Sequence, residues 1–178
     1  MNDDERPLPI NVLPLTRRAF IRIGCTTISG SLVAGVSPTL AAAGLSAVQG
    51  EQYPTVDVAA ASTLKLDTPV AFTYPDANSP AVLLRLRQSA AGGVGPNESI
   101  VAFSTLCTHK GCPVAYRQER KLFICPCHWS SFDPTKAGQM VIGQGSQALP
   151  QIALRISGDT IQATGVTGLI YGRETNIL

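Results

Sequence analysis

Both histidines and four of the five cysteines of this 178-residue chain lie between Cys107 and His128. Two short segments hold them: Cys107-Thr108-His109-Lys110-Gly111-Cys112 and Cys125-Pro126-Cys127-His128-Trp129-Ser130. The first carries a Cys-x-His pair and the second a Cys-x-x-His pair, with 15 residues between His109 and Cys125. Thiolate is a soft anionic donor and imidazole a borderline neutral one. Two of each therefore suit a soft tetrahedral metal or an iron–sulfur centre.

Three chemistries compete for this donor set. Two structural disulfides would use four cysteines in an oxidising compartment, but they leave both histidines without a role. A structural zinc takes two Cys and two His, yet finger-type sites pair Cys with Cys and His with His at short spacings. Neither spacing occurs here. A two-iron cluster in which two cysteines hold one iron and two histidines the other needs each loop to supply one of each. The interleaved segments match that requirement.

Loops that close on a metal must be carried by a rigid scaffold, and the rest of the chain reads as β-sheet. After residue 50, short β-prone runs alternate with turn-rich stretches, and no sustained helical period is present. The pattern predicts strands over 55–58, 70–74, 82–86, 100–104, 122–125, 152–156 and 160–164. Gly- and Pro-rich stretches over 74–80 and 90–97 separate them as loops, and Ser157-Gly158-Asp159 reads as a hairpin turn. Short strands at this density predict an all-β, antiparallel sandwich or barrel.

Composition excludes other classes. Charged residues are 15% and hydrophobic residues 44%, so the chain is not intrinsically disordered. A formal net charge of +2 gives no electrostatic reason to expect a nucleic-acid partner. Ser104, Glu119 and Asp133 read as turn or surface residues rather than catalytic ones. Trp129, beside His128, reads as a rim contact for a partner.

The first 43 residues differ from the remainder. A polar start, then Thr16-Arg17-Arg18-Ala19-Phe20-Ile21-Arg22, an apolar run and Ala41-Ala42-Ala43 follow the plan of a secretory signal and resemble a twin-arginine export signal. Such signals export proteins already folded, and the expected location is the periplasm. Only 15 residues, diluted by Gly, Ser and Thr, lie between Arg22 and Pro38, whereas a spanning helix needs roughly 20. Cleavage near Ala43 would remove Cys25 and leave a domain over 44–178 with four cysteines. A retained segment would instead anchor the protein to the membrane.

The stretch from Cys107 to Asp133 resembles the cluster-binding motif of the disulfide-containing Rieske proteins. The resemblance implies a [2Fe–2S] cluster with Cys107 and Cys125 on the buried iron and His109 and His128 on the outer one. It also implies a disulfide between Cys112 and Cys127, and a hydrogen bond from Ser130 to a cluster sulfide. The fold it implies is a small cluster-binding subdomain, about 103–146, inserted in a β base made of 50–102 and 147–178. Gln144-Gly145-Ser146-Gln147-Ala148-Leu149-Pro150 stands where a third, proline-containing loop covers the cluster.

Phe132 departs from the respiratory pattern, where a tyrosine hydroxyl bonds a ligand sulfur. Hydrogen bonds to cluster sulfurs favour the more negative, reduced state, so the missing donor lowers the potential. Oxidation also eases proton loss from iron-bound imidazoles, so the potential should fall at alkaline pH.

A cluster held entirely by protein ligands has no open site for substrate, so the expected role is electron relay. Over residues 16–178 the chain resembles the small subunit of periplasmic arsenite oxidase. That resemblance implies a molybdenum-containing large catalytic subunit as electron donor and a soluble cytochrome c or cupredoxin as acceptor. Two other Rieske settings stand as alternatives. One is the subunit of a cytochrome bc quinol-oxidising complex, with 41–50 as a neck. The other is the ferredoxin of an oxygenase system, against which the export signal and the extra disulfide speak.

Overall fold

The computed structural model describes residues 53–177. The export signal over 1–43, its Cys25 and the alternative neck over 41–50 lie outside them. Among the described residues the chain forms β1 (Val56–Ala60), β2 (Val70–Thr73), β3 (Pro80–Arg85), β4 (Ile100–Ser104) and β5 (Ala115–Arg117). It continues through β6 (Leu122–Ile124), β7 (Ser131–Asp133), β8 (Gln139–Ile142), β9 (Gln151–Ser157) and β10 (Thr160–Thr167). The fold is all-β and antiparallel, as the turn spacing predicts. Gly158 and Asp159 make the tight turn between β9 and β10, with Gly158 at φ +62°.

Two sheets divide the work. The base sheet runs β1-β10-β9-β4-β3-β2 and the smaller sheet β5-β6-β7-β8. Strands β3 and β4 are apolar almost throughout because both their faces are covered. Ala81, Leu83, Ile100 and Ala102 face one core, which Ile152, Ile161 and Ala163 complete. Val82, Leu84, Val101 and Phe103 face a second core, shared with Phe123, Phe132, Cys107 and Cys125. Val56 and Val58 of β1 and Val70 and Phe72 of β2 pack on the same first core. The base sheet therefore curls until its two end strands share one interior, which gives the near-barrel shape.

Strands β5, β7 and β8 carry no matching signal in the sequence. The first two have three residues each, too few to show alternation, and β8 leaves Gln139, Val141 and Ile142 exposed. Pairing makes them strands: β5 and β7 flank β6, and β8 pairs with β7.

The small sheet is tied to the base through a buried carboxylate. Asp67, in the loop before β2, accepts hydrogen bonds from Arg87 Nε at 2.8 Å, Lys121 Nζ at 2.8 Å and Tyr116 Oη at 3.2 Å. Tyr116 lies on β5 and Lys121 just before β6, so one acceptor gathers donors from both sheets. Burial opposes the charge on Asp67, but the Lys121, Arg87 and Tyr116 hydrogen bonds outweigh it and hold the carboxyl below its ordinary range. Burial likewise raises the Tyr116 phenol, with the Asp67 charge adding to it.

Candidate metal centre

The donor-bearing segments are two tight tips at one end of the small sheet. In the first, the Gly111 amide donates to the Cys107 carbonyl at 2.8 Å, and the Cys107 amide to the Cys112 carbonyl at 2.9 Å. In the second, the Trp129 amide donates to the Cys125 carbonyl at 3.0 Å, and the Cys125 amide to the Ser130 carbonyl at 2.9 Å. These bonds bend each tip so that its Cys is buried at the base while its His sits nearer the end, His109 half-buried and His128 exposed. Gly111 takes φ +69°, and a Cβ there would sit 2.5 Å from the ring of Tyr171. A side chain would displace the C-terminal segment that packs over the tip.

A disulfide between Cys112 and Cys127 joins the two tips, with their Cα atoms 6.5 Å apart. The sulfurs of Cys112, Cys127 and Cys125 all lie within 4.8 Å of one another. Two of them are spent in the disulfide, so this trio offers a metal one thiol, that of Cys125.

Cys107 and Cys125 remain as free, buried thiols. Burial pushes the Cys107 thiol up; amide donors from His109 and Lys110 work the other way, and the neighbouring Cys125 adds to the rise. The His109 and His128 rings stand with centroids 4.7 Å apart and planes at 78°. His109 Nδ1 is buried and has no hydrogen-bond partner. Buried polar atoms are rarely left so. Two inward thiols and an orphaned imidazole nitrogen fit a metal group that supplies the missing partner on each side. Titrating ligands lose their protons on metal binding, which overcomes the raised thiol.

A third loop closes the end. Thr108 Oγ donates to the Gln147 carbonyl at 2.9 Å, and Ser146 Oγ donates to the Thr108 carbonyl at 2.8 Å. Ser130 is fully buried, and its Oγ accepts the Gln144 amide at 3.0 Å. That bond occupies a lone pair and leaves the hydroxyl proton to give. Gly143, at φ +121°, admits this approach, because a Cβ there would collide with Ser130. Phe132 is fully buried between Phe123 and Met140 on the core side of the small sheet. Thr108, Gly143 and Tyr171 build the site without a type or spacing that marks them in the sequence, whereas Ser146 lies in the covering loop that the resemblance implies. The Gly pair at 143 and 145 was the one local hint of a close backbone approach.

The profile of the Rieske [2Fe–2S] domain matches residues 55–153. The chain belongs to the Rieske [2Fe–2S] family. A Rieske domain carries its two-iron cluster on mixed cysteine and histidine ligands, which is the donor set gathered here.

This Rieske chain is 39% identical over 166 residues to the iodate reductase subunit IdrB of Denitromonas iodatirespirans, covering 91% of the chain and 86% of that protein. It is 35% identical over 164 residues to IdrB of Pseudomonas sp. strain SCT, covering 90% of the chain and 84% of that protein. The soluble domain of the Rieske protein II (soxF) from Sulfolobus acidocaldarius shares the fold, with a TM-score of 0.62 at 22% identity over 69% of this chain and 83% of that one.

Among the described residues, no helix is long and apolar enough to cross a membrane.

Proposed function

We propose that this Rieske chain is the electron-relay subunit of a periplasmic, molybdenum-containing oxidoreductase that acts on an oxyanion. The observation that carries the reading is the closed end of the small sheet, where two buried thiols and an orphaned His109 Nδ1 converge. When bound, the cluster takes up and releases one electron at a time. Cys107 and Cys125 hold one iron and His109 and His128 the other. The Cys112–Cys127 bridge keeps the two tips at fixed separation, and Ser130 donates its free proton to a cluster sulfur.

Arsenite oxidation is the activity that the sequence resemblance implies. The relatives that match nine tenths of the chain are named as iodate reductase subunits, which sets iodate reduction beside it. In both readings a large molybdenum subunit does the chemistry on the oxyanion. This chain passes electrons between that subunit and a cytochrome c or cupredoxin.

Purification of the tagged chain from its native host tests the reading. The expected result is a stoichiometric molybdenum protein in the same complex, active with arsenite plus an oxidant or with iodate plus a reductant. A chain recovered with cytochrome b, starting intact at Met1 in the membrane, would overturn it in favour of the quinol-oxidising complex. A start near Gly44 in the periplasm supports export and cleavage.

A further inference from the structure

Residues 168–177 follow β10 but join no strand, and they lie beyond the 55–153 span that the family profile matches. Ordering such a segment costs backbone and side-chain entropy that no ladder of sheet hydrogen bonds offsets. Its side chains must hold it instead. Asn176 is buried, and its Oδ1 accepts the Ile170 amide at 2.9 Å. Its Nδ2 donates to the Gly168 carbonyl at 2.8 Å and to Tyr53 Oη at 3.0 Å. Arg173 grips Asp76 with both terminal nitrogens, at 2.7 and 2.9 Å, and Ile170 is fully buried.

These anchors present Tyr171 to the first ligand-bearing tip. A Cβ at Gly111 would stand 2.5 Å from Tyr171 Cδ1 and 2.7 Å from Cε1, so ring carbons, not the hydroxyl, lie against the tip's backbone. The same segment reaches the tip a second way. The Leu169 carbonyl accepts Gln147 Nε2 at 2.6 Å, and the Gln147 carbonyl accepts Thr108 Oγ at 2.9 Å. Within the tip, the amides of His109 and Lys110 donate to the Cys107 sulfur. Their aim depends on the turn that the Gly111 amide closes on the Cys107 carbonyl. Hydrogen bonds to a ligand sulfur favour the reduced cluster and so raise its potential.

We propose that Tyr171 is a positioning residue for the cluster. Its ring, held in place by Asn176 and Arg173, keeps the Cys107–Cys112 tip in the shape that aims the His109 and Lys110 amides at the Cys107 sulfur. A segment outside the matched domain thereby helps to set the potential. The proposal goes beyond electron relay and needs no particular partner, but it rests on Cys107 being an iron ligand. Support of this kind matters because a ligand shell is only as fixed as the residues that pack behind it. Tyr171 is 39% exposed, whereas Ile170 beside it is fully buried. Truncating Tyr171 therefore frees the tip at little expense to the core.

The test is a redox titration of the full, cluster-loaded chain, read by electron paramagnetic resonance of the reduced state, with iron content measured alongside. Tyr171→Ala should keep iron and a Rieske-type spectrum while its midpoint potential falls below that of wild type. Tyr171→Phe, which keeps the ring and removes the hydroxyl, should titrate as wild type does. Asn176→Ala, which releases the segment from its anchor, should lower the potential in the same direction, and it decides alone if Tyr171→Ala does not retain iron. A strap that served stability only would lower the thermal midpoint of the deciding variant and leave its potential where it was. An unchanged or raised potential therefore overturns the proposal, as does a Tyr171→Phe potential as low as that of Tyr171→Ala. Cys107→Ala should assemble no cluster; a wild-type spectrum in that variant overturns the ligand assignment and this proposal with it.

Discussion

Phe132 and Ser130 differ in what they could offer a bound cluster. Phe132 is fully buried and offers no donor; Ser130 is fully buried and has one to give. A neutral hydrogen bond is worth about 1 kcal/mol. If most of that is felt in the reduced state, it corresponds to roughly 40 mV for a one-electron couple, at 59 mV per tenfold change. Phe132→Tyr should raise the midpoint potential by about this amount, as followed by redox titration of the cluster spectrum. An unchanged or lowered value would contradict the assignment. Ser130→Ala should lower the potential by a similar step while iron content stays at wild-type level. Loss of iron in that variant would make Ser130 a packing residue rather than a donor.

At the scale of elements, the two tips are held by a bridge and a strap. The Cys112–Cys127 disulfide closes a loop of 15 residues, for which chain entropy alone gives about 3 kcal/mol. Cys112→Ser should keep iron and sulfide while lowering the thermal midpoint, since the ligands themselves are untouched. A protein unable to assemble the cluster would mean that Cys112 is itself a ligand. The strap is the C-terminal segment: Tyr171 covers Gly111, Gln147 Nε2 donates to the Leu169 carbonyl at 2.6 Å, and Arg173 pairs with Asp76 at 2.7 Å. The Arg173 hydrogen bond holds the Asp76 carboxyl below its ordinary range, against some burial. The first tip, the third loop and the chain's end thus brace one another.

For the whole molecule, Asp67 adds a buried polar tie to the apolar core that the small sheet shares with its base. The side chain is 1% exposed, while Arg87 and Lys121 keep 62% and 52% of theirs in water. The cations can therefore resolvate if Asp67 is lost, and Asp67→Asn should cost roughly 1–3 kcal/mol at neutral pH. Its carboxyl lies lower in the folded chain than in the unfolded one. The unfolded chain thus binds more protons in the acid range. The stabilisation is complete above the unfolded value of about 3.9 and is lost as pH falls through the folded value. Denaturant titrations across that range should show a steeper acid loss for wild type than for Asp67→Asn. Parallel curves would remove Asp67 from the acid response.

Some of this was legible from residue order alone. A ligand set is a local pattern, so the donors stood out as the chain's only histidines, each beside a cysteine. Family and cofactor followed from that. Strands with alternating or continuous apolar residues were legible too: β4 falls at its predicted residues, 100–104, and the hairpin at Gly158-Asp159 is where the turn signal stood. Tertiary structure decided what depends on distant partners. β5, β7 and β8 became strands only by pairing across loops that local propensity leaves open. Asp67 was an unremarked turn residue until three donors from up to 54 positions away closed on it. Trp129 shows the limit most plainly, because sequence can name an aromatic beside a ligand, but only the path of the backbone determines that its ring is left facing water.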